Sequence, residues 1–185
     1  MSLIHRCLAD DEEAFAELYH RYKNLVYKTA FLMLDNSGEA EDVLQEIFLQ
    51  VHRSLGSYRP EKGAFTTWLH RLTVNHCHNR QRKRRLLLLP LEYLAAWGRP
   101  QPRPAIESQW GEDDAVRQAL QHLSDKLRAV VVLRYYWELS YAEVAQALDV
   151  PLGTVKSRLD LALKTLRKEL EPAAADFLSQ KEVAK

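Results

Sequence analysis

The sequence predicts an all-α protein: two small helical domains joined by a proline-rich linker, the C-terminal one containing a helix-turn-helix. Three observations predict it. Apolar residues recur at spacings of three and four on both sides of the middle of the chain, and no run alternates β-branched residues between turn signals. Four of the seven prolines fall at Pro90, Pro100, Pro102 and Pro104. Ser140 and Glu143 form a capping-box pattern, and Asp149-Val150-Pro151 marks a tight break one short helix later. The predicted boundaries are 1–89 for the first domain, 90–112 for the linker, 113–171 for the second domain and 172–185 for a tail.

The first domain reads as successive helices. Phe15, Leu18, Tyr22, Leu25, Thr29 and Leu32 step by three and four along one apolar stripe. Asp35-Asn36-Ser37-Gly38 breaks the run. Ser37 is placed to cap the next helix, and Glu39, Glu41 and Asp42 suit the positive end of its dipole. That helix turns Ala40, Val43, Leu44, Ile47, Phe48 and Val51 inward, and leaves Asp42, Gln45, Glu46 and Gln50 on other faces. Ser54 to Gly63 reads as a loop. A third helix puts Phe65, Trp68, Leu69, Leu72 and His76 on one side and Arg71, Asn75, His78 and Arg82 on another. It ends in the basic run Arg80-Gln81-Arg82-Lys83-Arg84-Arg85.

Alternating prolines between Gly98 and Pro104 cannot continue a helix and favour a stiff, extended connector. Beyond it, helices are predicted at about 113–122 and from Ser124 to Trp137, the latter carrying Val130 to Leu133. The capped helix after Ser140 has Val144, Ala145 and Leu148 as its apolar set. The last helix, about Leu152 to Leu170, turns Val155, Leu159, Ala162, Leu163 and Leu166 inward. Two helices joined by so short a turn form a helix-turn-helix.

Composition bounds the function. Of 185 residues, 46% are hydrophobic and 28% charged, which excludes a wholly disordered or collagen-like chain. The longest apolar runs, 86–89 and 129–133, fall far short of the ~20 residues of a membrane helix. The opening residues have no apolar stretch of the secretory kind, and Cys7 and Cys77 could form one bridge at most, so a reduced, cytoplasmic protein is expected. Charge is unevenly placed. Residues 1–60 hold 10 acidic and 6 basic groups, whereas residues 61–90 hold 7 basic and 1 acidic. Such neighbouring blocks suggest two different partners, of which only the basic one attracts a polyanion.

No phosphate loop, nucleophile elbow, HExxH helix or spaced cysteine pair is present in the sequence. His76-Cys77-His78 is the tempting cluster, but adjacent helical side chains point ~100° apart and cannot readily close on one metal. His70 lies one and a half turns away. The favoured reading is histidines on a polar face. The basic run 80–85 is either a solvated helix end or a phosphate-binding stretch. Asn75, His78 and Asn79 beside it, with Phe65 and Trp68 upstream, favour nucleic acid, because amides and aromatic rings bond and stack bases. The second helix of a helix-turn-helix enters the major groove by its N-terminal residues, here Gly153 to Arg158. Thr154 and Ser157 can bond phosphate or a base edge, and Lys156 and Arg158 supply charge or a contact to guanine. The bland alternative is a helical hairpin with a polar start.

The string SYAEVAQALDVPLGTVKSRLDLALKTLRKEL resembles the promoter-reading domain of the extracytoplasmic-function (ECF) sigma factors, the smallest group of the sigma-70 family. AFAELYHRYKNLVYKTAFLML, EAEDVLQEIFLQVHRSL and AFTTWLHRLTVNHCHN resemble the parts of that family's N-terminal domain, in the family's order. The resemblance covers about residues 10–85 and 113–170. It implies a subunit of bacterial RNA polymerase that binds the core enzyme, recognises a promoter and helps open it. Asp42, Gln45, Glu46 and Leu49 match the segment that docks on the clamp coiled coil of the largest subunit. Tyr58 and Lys62 of the loop, with Trp68, Arg71, Asn75, Asn79 and Arg82 of the following helix, match the segment that reads and melts the −10 element. There the family flips a non-template base into a pocket, at a stacking cost of a few kcal/mol. Thr154, Lys156, Ser157, Arg158 and Lys164 match the reader of the −35 element, in the domain that meets the flap of the second-largest subunit. The linker would follow the path towards the RNA exit channel.

The resemblance implies no cofactor, metal or small-molecule substrate, and no enzymatic activity of the chain's own. It also implies an anti-sigma factor as a partner, through which a cytoplasmic protein can be held at a membrane. Two features depart from the family pattern. Asp160, Leu161 and Leu163 stand where aromatic or basic residues are common, which predicts an unusual −35 sequence or weaker upstream binding; an acid there repels phosphate or accepts a bond from cytosine. The loop around Pro60 to Gly63 is slightly long. Three other readings stand beside this one: a dimeric operator-binding regulator, a sigma-like interaction module without promoter activity, and a metal-dependent hydrolase using His70, His76 or His78.

Overall fold

The computed structural model describes residues 3–88 and 114–183, and the side chains of 3–86 and 115–171. Every described element is helical, and the chain divides into two compact units, with the division near residue 105. The expected linker, 90–112 with its four prolines, lies outside the described residues. Among the described residues no helix is long and apolar enough to cross a membrane.

The first unit contains α1 (Leu3–Leu8), α2 (Glu12–Leu34), α3 (Ser37–Ser54) and α4 (Phe65–Leu88). Asp11 caps α2: its Oδ1 accepts from the Ala14 amide at 2.9 Å, and Arg6 Nε donates to its Oδ2 at 2.8 Å. Those bonds, the Ala14 amide first, hold the Asp11 carboxyl below the usual range and tie α1 to the start of α2. The buried face of α2 is Ala14, Leu18, Leu25, Val26, Thr29, Ala30, Met33 and Leu34. Phe15, Tyr22 and Leu32, expected inward, are only half-buried. The buried face includes the small Ala14 and Ala30, which permit close approach where α2 packs on α1, α3 and α4.

Asp35 ends α2 in the left-handed region, at φ 55°, and its amide donates to the Phe31 carbonyl at 2.8 Å. Asn36, not Ser37, then caps α3: its Oδ1 accepts from the Glu39 amide at 2.9 Å. The geometry places the acceptor three residues before that amide, so the helix begins one residue earlier than expected. The inward set of α3 is as predicted except for Leu44, which is half-buried. The segment read as a loop holds two 3₁₀ turns, Leu55–Ser57 and Pro60–Lys62.

In α4 the core side is Phe65, Thr67, Leu69, His70, Thr73, Val74 and Cys77. Trp68, Leu72 and His76 are half-buried, so the buried face is turned from the expected one. The cause is that α4 packs on both α2 and α3, which covers a wider arc than one neighbour would. His70 is therefore not on a polar face. It is 1% exposed, and burial pushes its pKa down to about 4, so it is neutral. Burial likewise pushes the Cys77 thiol up to about 12, far from the thiolate that metals bind.

The second unit contains α5 (Asp114–Gln121), α6 (Asp125–Val131), α7 (Tyr141–Leu148) and α8 (Leu152–Val183). The expected continuous helix to Trp137 changes at Val132 into a π-helical turn, Val132–Tyr136. The core joins Ala119, Leu120 and Leu123 to Val130–Leu133, Val144, Ala147, Val155, Leu159, Ala162 and Leu166. Two details differ from expectation. Ala147 replaces Ala145 and Leu148 as the buried partner of Val144, and Leu163 is 40% exposed rather than inward. Beyond residue 171 the backbone continues as α8 to Val183, where a tail was expected. The side chains of Phe177 and Leu178 lie outside those described.

Candidate nucleic-acid interface

The start of α4 carries an aromatic platform. The Phe65 and Trp68 ring centroids are 5.5 Å apart, and Tyr22 of α2 meets Phe65 at 5.1 Å. The turn before α4 delivers a fourth ring: Tyr58 stands 5.5 Å from Phe65 and 5.8 Å from Trp68. Its hydroxyl donates to the Gly63 carbonyl at 3.1 Å, which closes the turn over Pro60–Lys62. Gly63 sits at φ 148°, a conformation that favours glycine. Lys62 is exposed on this turn.

From Trp68 a stripe runs down α4 by steps of three and four. Arg71, Asn75, Asn79 and Arg82 are all exposed on it. Trp68, Arg71, Asn75, Asn79 and Arg82 thus share one side of α4, with Tyr58 against Trp68 at its head and Lys62 exposed on the turn before it. Phe65, read from the sequence as an aromatic of this surface, is buried beneath it, and Tyr22, which packs on Phe65, was missed. Rings, amides and cations in line suit stacking and hydrogen bonding of unpaired bases.

The opposite chemistry occupies α3. Asp42, Gln45, Glu46 and Leu49 are exposed at spacings of three and four, with Leu49 59% exposed. A bare leucine among carboxylates suits a protein surface and not a phosphate backbone. Residues of α4 hold these carboxylates from behind. Arg80 donates to the Glu39 carbonyl at 3.0 Å and to Asp42 Oδ2 at 3.2 Å, and lies 3.6 Å from Glu46. His76 Nε2 is 2.5 Å from Glu46 Oε2, and Arg84 is 3.7 Å from Glu39. So part of the charge contrast between the acidic and basic blocks is internal, because α4 crosses α3 with its basic end beside the acidic turn. His76, Cys77 and His78 do not form one cluster: His76 meets Glu46 and Cys77 is buried.

In the second unit α7 and α8 build the helix-turn-helix from local chemistry. Ser140 Oγ accepts from the Glu143 amide at 3.2 Å, and Glu143 accepts from the Ser140 amide at 2.8 Å. The Ser140 hydroxyl and amide hold the Glu143 carboxyl below its usual range. Asp149, at φ 54°, ends α7, and the Val150 amide donates to the Ala145 carbonyl at 3.0 Å. The Pro151 carbonyl then accepts from the Thr154 amide at 2.9 Å and α8 begins.

Val155 and Leu159 anchor α8 inward. Lys156, Ser157 and Lys164 are exposed, while Thr154 and Arg158 are half-buried at the flanks. Ser157 donates to the Thr154 carbonyl at 3.1 Å, which leaves its oxygen able to accept. Among the described residues nothing pairs with Lys156, Arg158 or Lys164. A cationic helix face with no internal partner suits the phosphates and base edges of a major groove.

The buried Arg128 was also missed. Its Nε donates to the Leu120 carbonyl at 2.8 Å, and one terminal nitrogen donates to the Gln121 and Leu123 carbonyls at 3.1 Å each. It thereby satisfies the open end of α5 beneath the helix-turn-helix. A lone cation in the apolar run around 127–133 was the available signal.

Comparison with known proteins finds one family model within each of the two units. The sigma-70 region 2 model matches residues 18–86, and the sigma-70 region 4 model matches residues 113–166. The chain is 34% identical over 170 residues to the ECF RNA polymerase sigma factor SigW of Bacillus subtilis, covering 86% of this chain and 90% of the relative. It is 32% identical over 178 residues to the ECF RNA polymerase sigma factor SigK of Mycobacterium tuberculosis, covering 92% of each. A solved structure of the sigma factor RpoE in complex with the anti-sigma factor NepR, from Bartonella quintana, has the same fold. Its TM-score is 0.70 at 20% identity, covering 85% of this chain and 96% of that one.

Proposed function

The chain belongs to the ECF sigma factors of the sigma-70 family, and we propose that its two units divide the work of promoter-directed transcription initiation between three surfaces. On α3, Asp42, Gln45, Glu46 and Leu49 dock on core RNA polymerase, at the clamp coiled coil of its largest subunit. On α4, Arg71, Asn75, Asn79 and Arg82, with Tyr58, Lys62 and Trp68 at its head, read and hold the melted −10 strand. On α8, Thr154, Lys156, Ser157, Arg158 and Lys164 read the −35 element, while the second unit meets the flap of the second-largest subunit. RNA synthesis itself belongs to the polymerase. An anti-sigma factor competes for the same surfaces, and the protein works in the cytoplasm.

The observation that carries this reading is the half-buried ring pair of Tyr58 and Trp68, seated on the buried Phe65, at the head of the exposed Arg71–Arg82 stripe. A duplex hides its base faces, so rings at this surface can stack on bases only once strands separate. Permanganate reactivity of promoter thymines tests it. Core polymerase plus this chain should expose thymines near the −10 element, and core alone should not. With Asn75→Ala the same thymines should appear more slowly, while complex formation with core is unchanged. Opening at the wild-type rate removes Asn75 from the surface. Failure to expose any thymine contradicts the reading.

A further inference from the structure

The outermost sector of α8 is mixed: Ser157 and Lys164 stand at its centre, Asp160 and Leu161 at its two edges. Positions 153, 157, 160, 161 and 164 fall within an arc of about 100° on an ideal helix, directly away from the buried Val155, Leu159, Ala162 and Leu166. Gly153, Ser157, Asp160, Leu161 and Lys164 are all exposed there, Leu161 by 55%. Lys156 and Arg158 flank this sector on either side. Nothing inside the protein requires Gly153, because an added Cβ would meet no atom within 4 Å. Among the described residues nothing pairs with the Asp160 carboxylate. Resting on the −35 reading above, the side chains that this sector presents to the groove therefore include, beside Ser157 and Lys164, a carboxylate acceptor and a hydrocarbon.

Each has one good match among base edges. A carboxylate only accepts. In the major groove only cytosine N4 and adenine N6 donate, and adenine sets the acceptor N7 beside N6, which repels a carboxylate. Leucine offers no hydrogen bond, and the C5-methyl of thymine is the one apolar group on that surface. Guanine, with two acceptors, is rejected by both. Adjacent side chains diverge by ~100°, so they address neighbouring base steps and not one base. We propose that Asp160 and Leu161 set the sequence preference of this helix, selecting a cytosine and a thymine at neighbouring positions of the upstream element.

The test uses holoenzyme made from bacterial core polymerase and the full chain, selecting active promoters from a pool randomised upstream. The wild type should select a cytosine next to a thymine. Asp160→Asn, whose amide matches adenine N6 and N7, should move the preference at the first position from cytosine to adenine by about tenfold. Replacing the selected thymine by deoxyuridine removes only the methyl group. That should lower wild-type initiation about fivefold and leave Leu161→Ala unaffected. Both side chains are exposed, so neither variant threatens the fold. An upstream preference that ignores Asp160→Asn and tolerates deoxyuridine overturns this inference and leaves the −35 reading standing. Initiation indifferent to all upstream sequence overturns both.

Discussion

Arg128 joins two helices by three hydrogen bonds to backbone carbonyls, and it is 6% exposed. Arg128→Met keeps the aliphatic stem and deletes the donors, leaving the end of α5 unsatisfied in an apolar setting. Bonds of this charged kind predict a loss of about 3 kcal/mol in the second unit. Hydrogen exchange of the α6 amides measures it; unchanged protection would show the bonds to be dispensable. His70 gives a pH dependence to the first unit. Its folded pKa of about 4 lies below the ordinary value of 6.5. Between those values the unfolded chain takes up a proton that the folded chain refuses. Stability is therefore full above the unfolded pKa and falls as pH drops towards 4, by about 2 kcal/mol at pH 5. Comparing thermal melts of wild type and His70→Gln at pH 7.5 and pH 5 isolates this contribution: the wild type should lose more. Equal losses would place His70 in contact with solvent. Arg128 left only the signal of a lone cation in an apolar run, and the burial of His70 left none. Burial of a polar side chain depends on which helices cross over it, and only the fold states that.

At the scale of elements, α7 and the start of α8 were legible almost to the residue because those ends are fixed by local chemistry, whereas α8 runs on to Val183 past the expected end near Leu170. Ser140 and Glu143 cap one end, and Asp149 and Pro151 stop the other. The face of α4 was less legible. Arg71, Asn75 and Arg82 of its polar stripe are exposed, but the side drawn through Trp68, Leu72 and His76 is only half-buried, whereas Thr67, His70, Thr73 and Cys77 are the buried ones. A helix under two neighbours buries a wide arc, and short polar residues can sit in it if their bonds stay within the helix. Thr73 does this by donating to the Leu69 carbonyl at 2.9 Å. The π turn at Val132–Tyr136 has no sequence pattern of its own, since all of Val130–Leu133 reads as helix and all of it is buried. The charged flanks of α8 carry a prediction at this scale. Lys156→Ala and Arg158→Ala should reduce initiation from promoters that depend on a −35 element several-fold, and leave core binding intact. Equal loss of both activities, measured by run-off transcription beside gel filtration with core, would contradict the division of labour.

The whole molecule has a formal net charge of only +1, with its basic surfaces on separate units and an acidic face on α3. Free of polymerase, such a chain has little long-range attraction for a duplex, and each reading surface alone makes few phosphate contacts. The free protein should therefore bind promoter DNA weakly and lose that binding steeply with salt. The complex with core should bind tightly, because docking through α3, as proposed, would bring both reading surfaces to the promoter together. Titration of labelled promoter with either form measures the contrast, and tight sequence-specific binding by the free chain would favour an operator-binding regulator. The measurement that tests the central claim most directly is run-off transcription on a library of randomised promoters, using core polymerase with and without this chain. Discrete transcripts from promoters sharing two spaced elements, obtained only when the chain is present, are the predicted result. No chain-dependent transcript, together with no stable complex with core, would contradict it.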